Sequence, residues 1–189
     1  MILSGLVVAY PTDTLYGLAV DPRNGAAVRR LFALKGRPES SALTLIAADA
    51  AQVRQVAEMT ADAERLAQQW WPGPLTIVLV AKPGLAPETL AGGRTAGLRV
   101  PAHRVARELA RLCDRCVTAT SANPSGASAP STAEAVEEAL PDVDAILDAG
   151  AAPGGAPSTI VDAIATPISL IRGGAVPWDR VLKSLSSGA

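Results

Sequence analysis

Short apolar runs that end abruptly in polar segments punctuated by Pro or Gly recur along this chain. Between them lie stretches whose apolar residues repeat at helical spacing. A chain built this way folds as an α/β protein, its buried strands delivering polar side chains to the edges of a sheet. The first run, GLVVAY (5–10), passes directly into Pro11-Thr12-Asp13-Thr14-Leu15-Tyr16-Gly17-Leu18. These hydroxyls and the carboxylate suit either a capped strand-to-helix turn or one rim of a ligand site, because ligands collect at strand ends in open α/β sheets.

The same reading continues along the chain. Strands are expected at 42–48, 75–81, 97–101 and 116–120, and three more at 145–150, 158–164 and 168–174. Helices are expected at 26–36, with Gly36 as the stop, from Asp49 through Met59, and from Asp62 through Trp71. Further helices are read at 102–112, at 133–140 behind a Thr132 cap, and at 178–185. Residues 82–96 read as loop, and SANPSGASAPS is the most loop-like segment. The later connections are too short for helical crossovers, so the sheet should be mixed. One domain over residues 1–189, a twisted mixed sheet flanked by helices, is the expected architecture.

Composition excludes several classes. Hydrophobic residues make up 49 % of the chain, too many for disorder. No apolar run approaches the roughly 20 residues that span a bilayer. The N-terminus lacks a basic region followed by a small-residue cleavage site, so a cytoplasmic protein without membrane attachment is expected. A net charge of −1 and six aromatic side chains argue against holding nucleic acid by bulk electrostatics or base stacking. Cys113 and Cys116 form a lone CxxC that the single histidine, His103, cannot complete into a four-ligand zinc site. They read as two small apolar residues at a helix end.

The groups that could do chemistry sit at element ends. Lys35-Gly36-Arg37-Pro38 sets two cations where a helix terminates, which suits an anion site or simply a solvated helix C-terminus. Arg99 lies between apolar residues in a strand, so its side chain points opposite to theirs. Its planar fork fits a carboxylate or phosphate. Ser121-Ala122-Asn123-Pro124-Ser125-Gly126 gathers hydroxyls, an amide and Gly in one loop, of the kind that cradles phosphate oxygens. Ser158 opens one late strand and Arg172 closes another. No catalytic triad or carboxylate cluster for a metal is apparent. Such an inventory suits binding an anion and stabilising charge during transfer between substrates.

Taken together, PTDTLYGL, KGRP, WPGPLTIVL, GLRVPAH, TSANPSG, STIVD and IRGG resemble, in order and spacing, the YrdC-like threonylcarbamoyl-adenylate synthases of the short branch. The resemblance covers residues 5 to about 181. It implies a twisted α/β sheet with a concave basic cleft. It also implies an ATP-binding nucleotidyltransferase that joins L-threonine, bicarbonate and ATP into threonylcarbamoyl-AMP and pyrophosphate. Magnesium would travel with ATP, with no metal ligand from the protein and no tightly bound organic cofactor. A separate threonylcarbamoyl transferase complex would use the product in tRNA modification, so tRNA is a partner only indirectly.

Residue by residue, the resemblance implies that Thr12, Tyr16, Thr44, Arg99, Ala119 and Ser158 contact threonine. Lys35, Glu39, Thr95, Ser121, Asn123, Ala129 and Arg172 would serve ATP. Lys35, Arg37, Ser121 and Asn123 would surround the reaction centre. Two features depart from the family pattern: only Met1 to Ser4 precede the first strand, where a helix is usual, and Ala42-Leu43 replaces a Pro-Leu pair before Thr44. The alternatives are an RNA-binding module, a carbamoyl-transfer domain like that of hydrogenase-maturation proteins, and a non-catalytic binder of threonine or nucleotide.

Overall fold

The structure, a computed structural model, describes residues 1–186; the last three residues of the expected domain lie outside that range. A single 3-10 turn, Ile2–Ser4, precedes the first strand and buries Ile2. Strand β1 (Val8–Pro11) is buried throughout. The polar segment after it does not lead into a helix as one reading of the sequence had it. Thr12 Oγ1 accepts the N–H groups of Thr14 and Leu15, and Tyr16–Ala19 returns as β2, antiparallel to β1. The hydroxyl supplies the partners that a tight reversal needs, and Pro11 pairs opposite Tyr16.

Helix α1 (Gly25–Lys35) is capped by the Asn24 side chain and stopped by Gly36 at φ 58°, the left-handed conformation that glycine adopts without strain. Strand β3 (Thr44–Ile46) leads to α2 (Ala50–Val56), capped by Asp49 as its position suggests but ending short of Met59. Helix α3 (Ala61–Trp70) is capped by Thr60 rather than Asp62; the carboxylate lies in the first turn, where it faces the positive end of the helix dipole. Strands β4 (Leu75–Val80) and β5 (Thr95–Arg99) flank the loop, and α4 (Arg104–Leu112) follows.

The run CVTAT, expected as one strand, divides into β6 (Val117–Thr118) and β7 (Thr120–Ser121). These belong to different sheets. Helix α5 (Ala133–Ala139) and strand β8 (Ala145–Ile146) precede β9 (Thr159–Asp162), β10 (Ser169–Arg172) and α6 (Trp178–Ser186). The strands are mixed in direction as expected, but they form two sheets. One has the order β7-β2-β1-β8 and the other β10-β9-β4-β5-β3-β6. The chain crosses from one to the other at Ala119.

Alternation decides what each face of the larger sheet does. Leu45, Leu75, Ile77, Leu79, Leu98 and Val161 point to one side and pack with Val53, Val56, Leu66 and Val181 of α2, α3 and α6. Their neighbours along each strand, among them Thr44, Thr76, Gly97 and Arg99, therefore face the other side. The smaller sheet packs Ala9, Tyr16 and Leu18 against Val28, Leu31 and Phe32 of α1 and Val136 of α5. Cys113 and Cys116 are free and buried in different clusters, and burial pushes both thiols up, Cys116 to about 12. Among the described residues no helix is long and apolar enough to cross a membrane.

Candidate active site

Where the two sheets meet, the polar face of the larger one floors a cavity of about 520 Å³. The turn between β1 and β2 brings Thr12 and Thr14 to one wall, and the crossover brings Ala119, Thr120 and Ser121 to another. Thr44, Ile46 and Arg99 form the floor, and Ser158 and Arg172 close the far side. The sheet crossing thus explains the location. Two sheets joined where the chain crosses between β6 and β7 leave a cleft whose lining comes from strand ends.

Three guanidinium groups reach the cavity, and no acidic side chain lines it among the described residues. Arg37 donates through Nη1 to Thr120 Oγ1 at 3.1 Å and through Nη2 to the Ala42 carbonyl at 3.1 Å. Its Nε is buried without a partner, and burial holds its pKa below the usual value. Arg172 donates to the Ser158 carbonyl at 2.7 Å; burial first, then the nearby Arg99 charge, lowers its pKa. Arg99 is the most enclosed. Its Nε donates to the Gly73 carbonyl at 3.0 Å and its Nη2 to Asp13, in an ion pair whose side chains are only 7 % and 12 % exposed.

Lys35 does not line the cavity. Its ammonium donates to the carbonyls of Ser121 and Asn123 from beneath the loop, and burial with the Arg37 charge lowers its pKa to about 8. Asn123 is buried and donates through Nδ2 to the carbonyls of Pro124 and Ala127 at 2.8 and 2.7 Å. These bonds leave Oδ1 as a buried acceptor with no protein partner. Ser158 Oγ pairs with Thr76 Oγ1 at 2.9 Å.

Eleven of the residues that the sequence motifs single out line the cavity: Thr12, Tyr16, Arg37, Thr44, Arg99, Ala119, Ser121, Asn123, Ala129, Ser158 and Arg172. The hydroxyl of Thr12 is engaged within its own turn, donating to the Leu15 carbonyl at 2.7 Å. The Tyr16 hydroxyl donates to the Gly150 carbonyl at 2.8 Å, and burial raises its pKa. Glu39 and Thr95 are exposed and stand outside the lining. The motifs did not single out Asp13 or Thr120 as site residues, although both lie inside them. Each is marked by its neighbours: Asp13 is the one carboxylate in a run of hydroxyls, and Thr120 is two residues from the buried Thr118.

The fold is shared with proteins of known structure. The family model for Sua5/YciO/YrdC, described as telomere recombination, matches residues 1–174, and the chain belongs to that family. It is 38 % identical over 185 residues to the threonylcarbamoyl-AMP synthase of Pyrococcus abyssi, covering 96 % of this chain and 54 % of that protein. It is 50 % identical over 123 residues to the synthase of Halorhodospira halophila, covering 64 % of each chain. The crystal structure of P. abyssi Sua5 complexed with L-threonine superposes with a TM-score of 0.93 at 36 % identity, over 97 % of this chain and 55 % of that one. Escherichia coli YciO superposes at 0.83 and 26 % identity, over 92 % and 85 %. The chain therefore spans about half the length of the P. abyssi relative.

Proposed function

We propose that this chain forms threonylcarbamoyl-AMP from L-threonine, bicarbonate and ATP. The observation that carries the reading is the convergence of Arg37, Arg99 and Arg172 on a cavity lined by hydroxyls and free of acidic side chains. The threonine held by the P. abyssi Sua5 structure and the synthase names of the relatives support it.

The chemistry asks for such a site. The threonine amine adds to bicarbonate, water leaves, and an N-carboxy anion results. Its oxygen then attacks the α-phosphorus of ATP, the bond to the β-bridging oxygen breaks, and pyrophosphate departs. Two anions approach only where fixed cations offset their charge in a partly dry cavity. Both nucleophile and leaving group come from the substrates, so the protein needs none of its own.

In this reading Arg99 holds the threonine carboxylate, with Thr12, Tyr16, Thr44, Ser158 and the main chain at Ala119 around the amino acid. Arg37, Arg172, Ser121, Asn123 and Ala129 serve the phosphates, with Lys35 fixing the loop that carries Ser121 and Asn123. Glu39 and Thr95, outside the cavity, are assigned to the nucleoside end. In this reading magnesium is carried in on the phosphates of ATP, and the cavity lining offers it neutral oxygen groups rather than carboxylates. When bound, the ion would offset phosphate charge.

The product is an acyl phosphate anhydride, prone to hydrolysis, and is read as passing in the cytoplasm to a transferase complex that modifies tRNA. The decisive experiment incubates the protein with ATP, magnesium, threonine and labelled bicarbonate. Labelled threonylcarbamoyl-AMP should form and should vanish when threonine is omitted. Absence of product with both substrates bound would overturn the proposal.

A further inference from the structure

The cations around the cavity are not equivalent. Arg99 is neutralised by Asp13 in a buried ion pair. Arg37, Arg172 and Lys35 have no carboxylate partner among the described residues; their hydrogen bonds run to hydroxyls and main-chain carbonyls. One end of the cavity therefore carries uncompensated positive charge. The other presents a guanidinium whose charge is already balanced, with Nε and Nη2 engaged and Nη1 free of protein partners.

We propose that Asp13 is the positioning residue that sorts the two substrates between the ends of the cavity. By balancing Arg99 it reserves that end for a ligand with no net charge, a zwitterionic α-amino acid, and leaves polyphosphate to Arg37 and Arg172. The inference rests on the function proposed above and assigns a role to a residue outside the cavity lining.

The physical case has three parts. A polyphosphate gains Coulomb energy from each unbalanced cation, and this gain is large where water is partly excluded. Arg99 lies close enough to Arg172 to affect its charge state, so an unbalanced Arg99 would extend the phosphate-attracting field across the whole cavity. A zwitterion gains little from net charge and most from the direction of the N–H groups it meets. Asp13 and the Gly73 carbonyl together fix that direction by clamping two of the three guanidinium nitrogens.

The chain supplies its own reporter. His103, the only histidine, sits at the start of α4 without a side-chain capping bond and feels the Asp13 charge, so its imidazole resonances respond to events at the Asp13–Arg99 pair without an assignment problem. In the native protein, threonine should shift these resonances and pyrophosphate should leave them in place. In Asp13→Asn, which keeps an acceptor for Arg99 and removes the charge, pyrophosphate should bind at least about tenfold more tightly, shift His103 and compete with threonine. Asp13→Glu restores the charge and should exclude pyrophosphate again.

An Asp13→Asn protein that binds pyrophosphate as the native one does, with His103 unmoved, overturns the inference. So does an Asp13→Glu protein that behaves like Asp13→Asn while remaining folded. Should the native protein bind no threonine, the proposed function falls, yet the pyrophosphate comparison still decides whether Asp13 sorts charge.

Discussion

The Lys35 ammonium donates to the main-chain carbonyl of Asn123, 88 residues further along the chain, and to that of Ser121 in the same loop. The end of α1 thereby fixes the loop that brings Asn123 to the cavity. A charged group can act on a reaction by shaping the loop around it as well as by its field. Replacing Lys35 by Met removes both effects and strands two carbonyls. Urea unfolding should show a loss of about 2 kcal/mol, and threonine-dependent pyrophosphate release should fall at least about a hundredfold.

The same lysine sets a pH dependence. Burial, with help from the Arg37 charge, lowers its pKa from 10.5 to about 8. The ammonium is charged below that value and lost above it, so ATP affinity should fall about tenfold between roughly pH 8 and pH 9. Stability should respond in the opposite sense. Between 8 and 10.5 the unfolded chain keeps the proton that the folded chain has released, so this group's contribution to stability rises with pH. Titration calorimetry and urea unfolding across this range measure the two trends, and both should flatten in Lys35→Met.

Gly97 lies beside the cavity floor, paired in register with Thr44 of that floor. A Cβ there would stand 3.1 Å from Thr76 Cγ2 and 3.6 Å from Thr44 Oγ1. Thr76 is fully buried and its hydroxyl is paired with Ser158, so it has little room to retreat. Gly97→Ala should raise the KM for threonine about tenfold with a much smaller effect on that for ATP. Equal changes in both would place the amino acid elsewhere.

Thr118 holds the two sheets together. Its Oγ1 donates to the Leu18 carbonyl at 2.9 Å and accepts the Val20 N–H at 2.9 Å, and its own carbonyl accepts the Tyr10 hydroxyl at 3.0 Å. Thr118→Val keeps the shape and removes the hydroxyl, leaving a buried donor and acceptor unpaired. A destabilisation of about 3 kcal/mol is expected in chemical unfolding. A loss no larger than that of an ordinary surface substitution would mean that the sheets are joined by packing alone.

Elements with strong local signals were legible in the chain. The helix read at 26–36 with its Gly36 stop, the Asp49 and Thr132 caps and the apolar run of β4 all follow from spacing and end chemistry. What local pattern does not encode is which sheet a strand joins. CVTAT is one β-like run in sequence, yet Ala119 divides it, because Thr118 bonds toward β2 from one sheet while Thr120 pairs with Leu18 in the other. The candidate site was legible as a set of strand-end motifs, since strand ends are where a cleft between sheets finds its lining. The Asp13–Arg99 pair was not, because its members are 86 residues apart and no local rule joins them.

The crossing at Ala119 has an energetic consequence. The cavity takes its walls from both sheets, so any ligand that fills it touches both and acts as a latch across the seam. Linkage then requires occupancy to raise the resistance of the whole protein to unfolding, by about 2.7 kcal/mol at a ligand concentration a hundred times its dissociation constant. A ligand confined to one wall would gain the same binding energy but leave the seam free to open. Hydrogen exchange at the Val20 amide, whose partner is Thr118 across that seam, distinguishes the two.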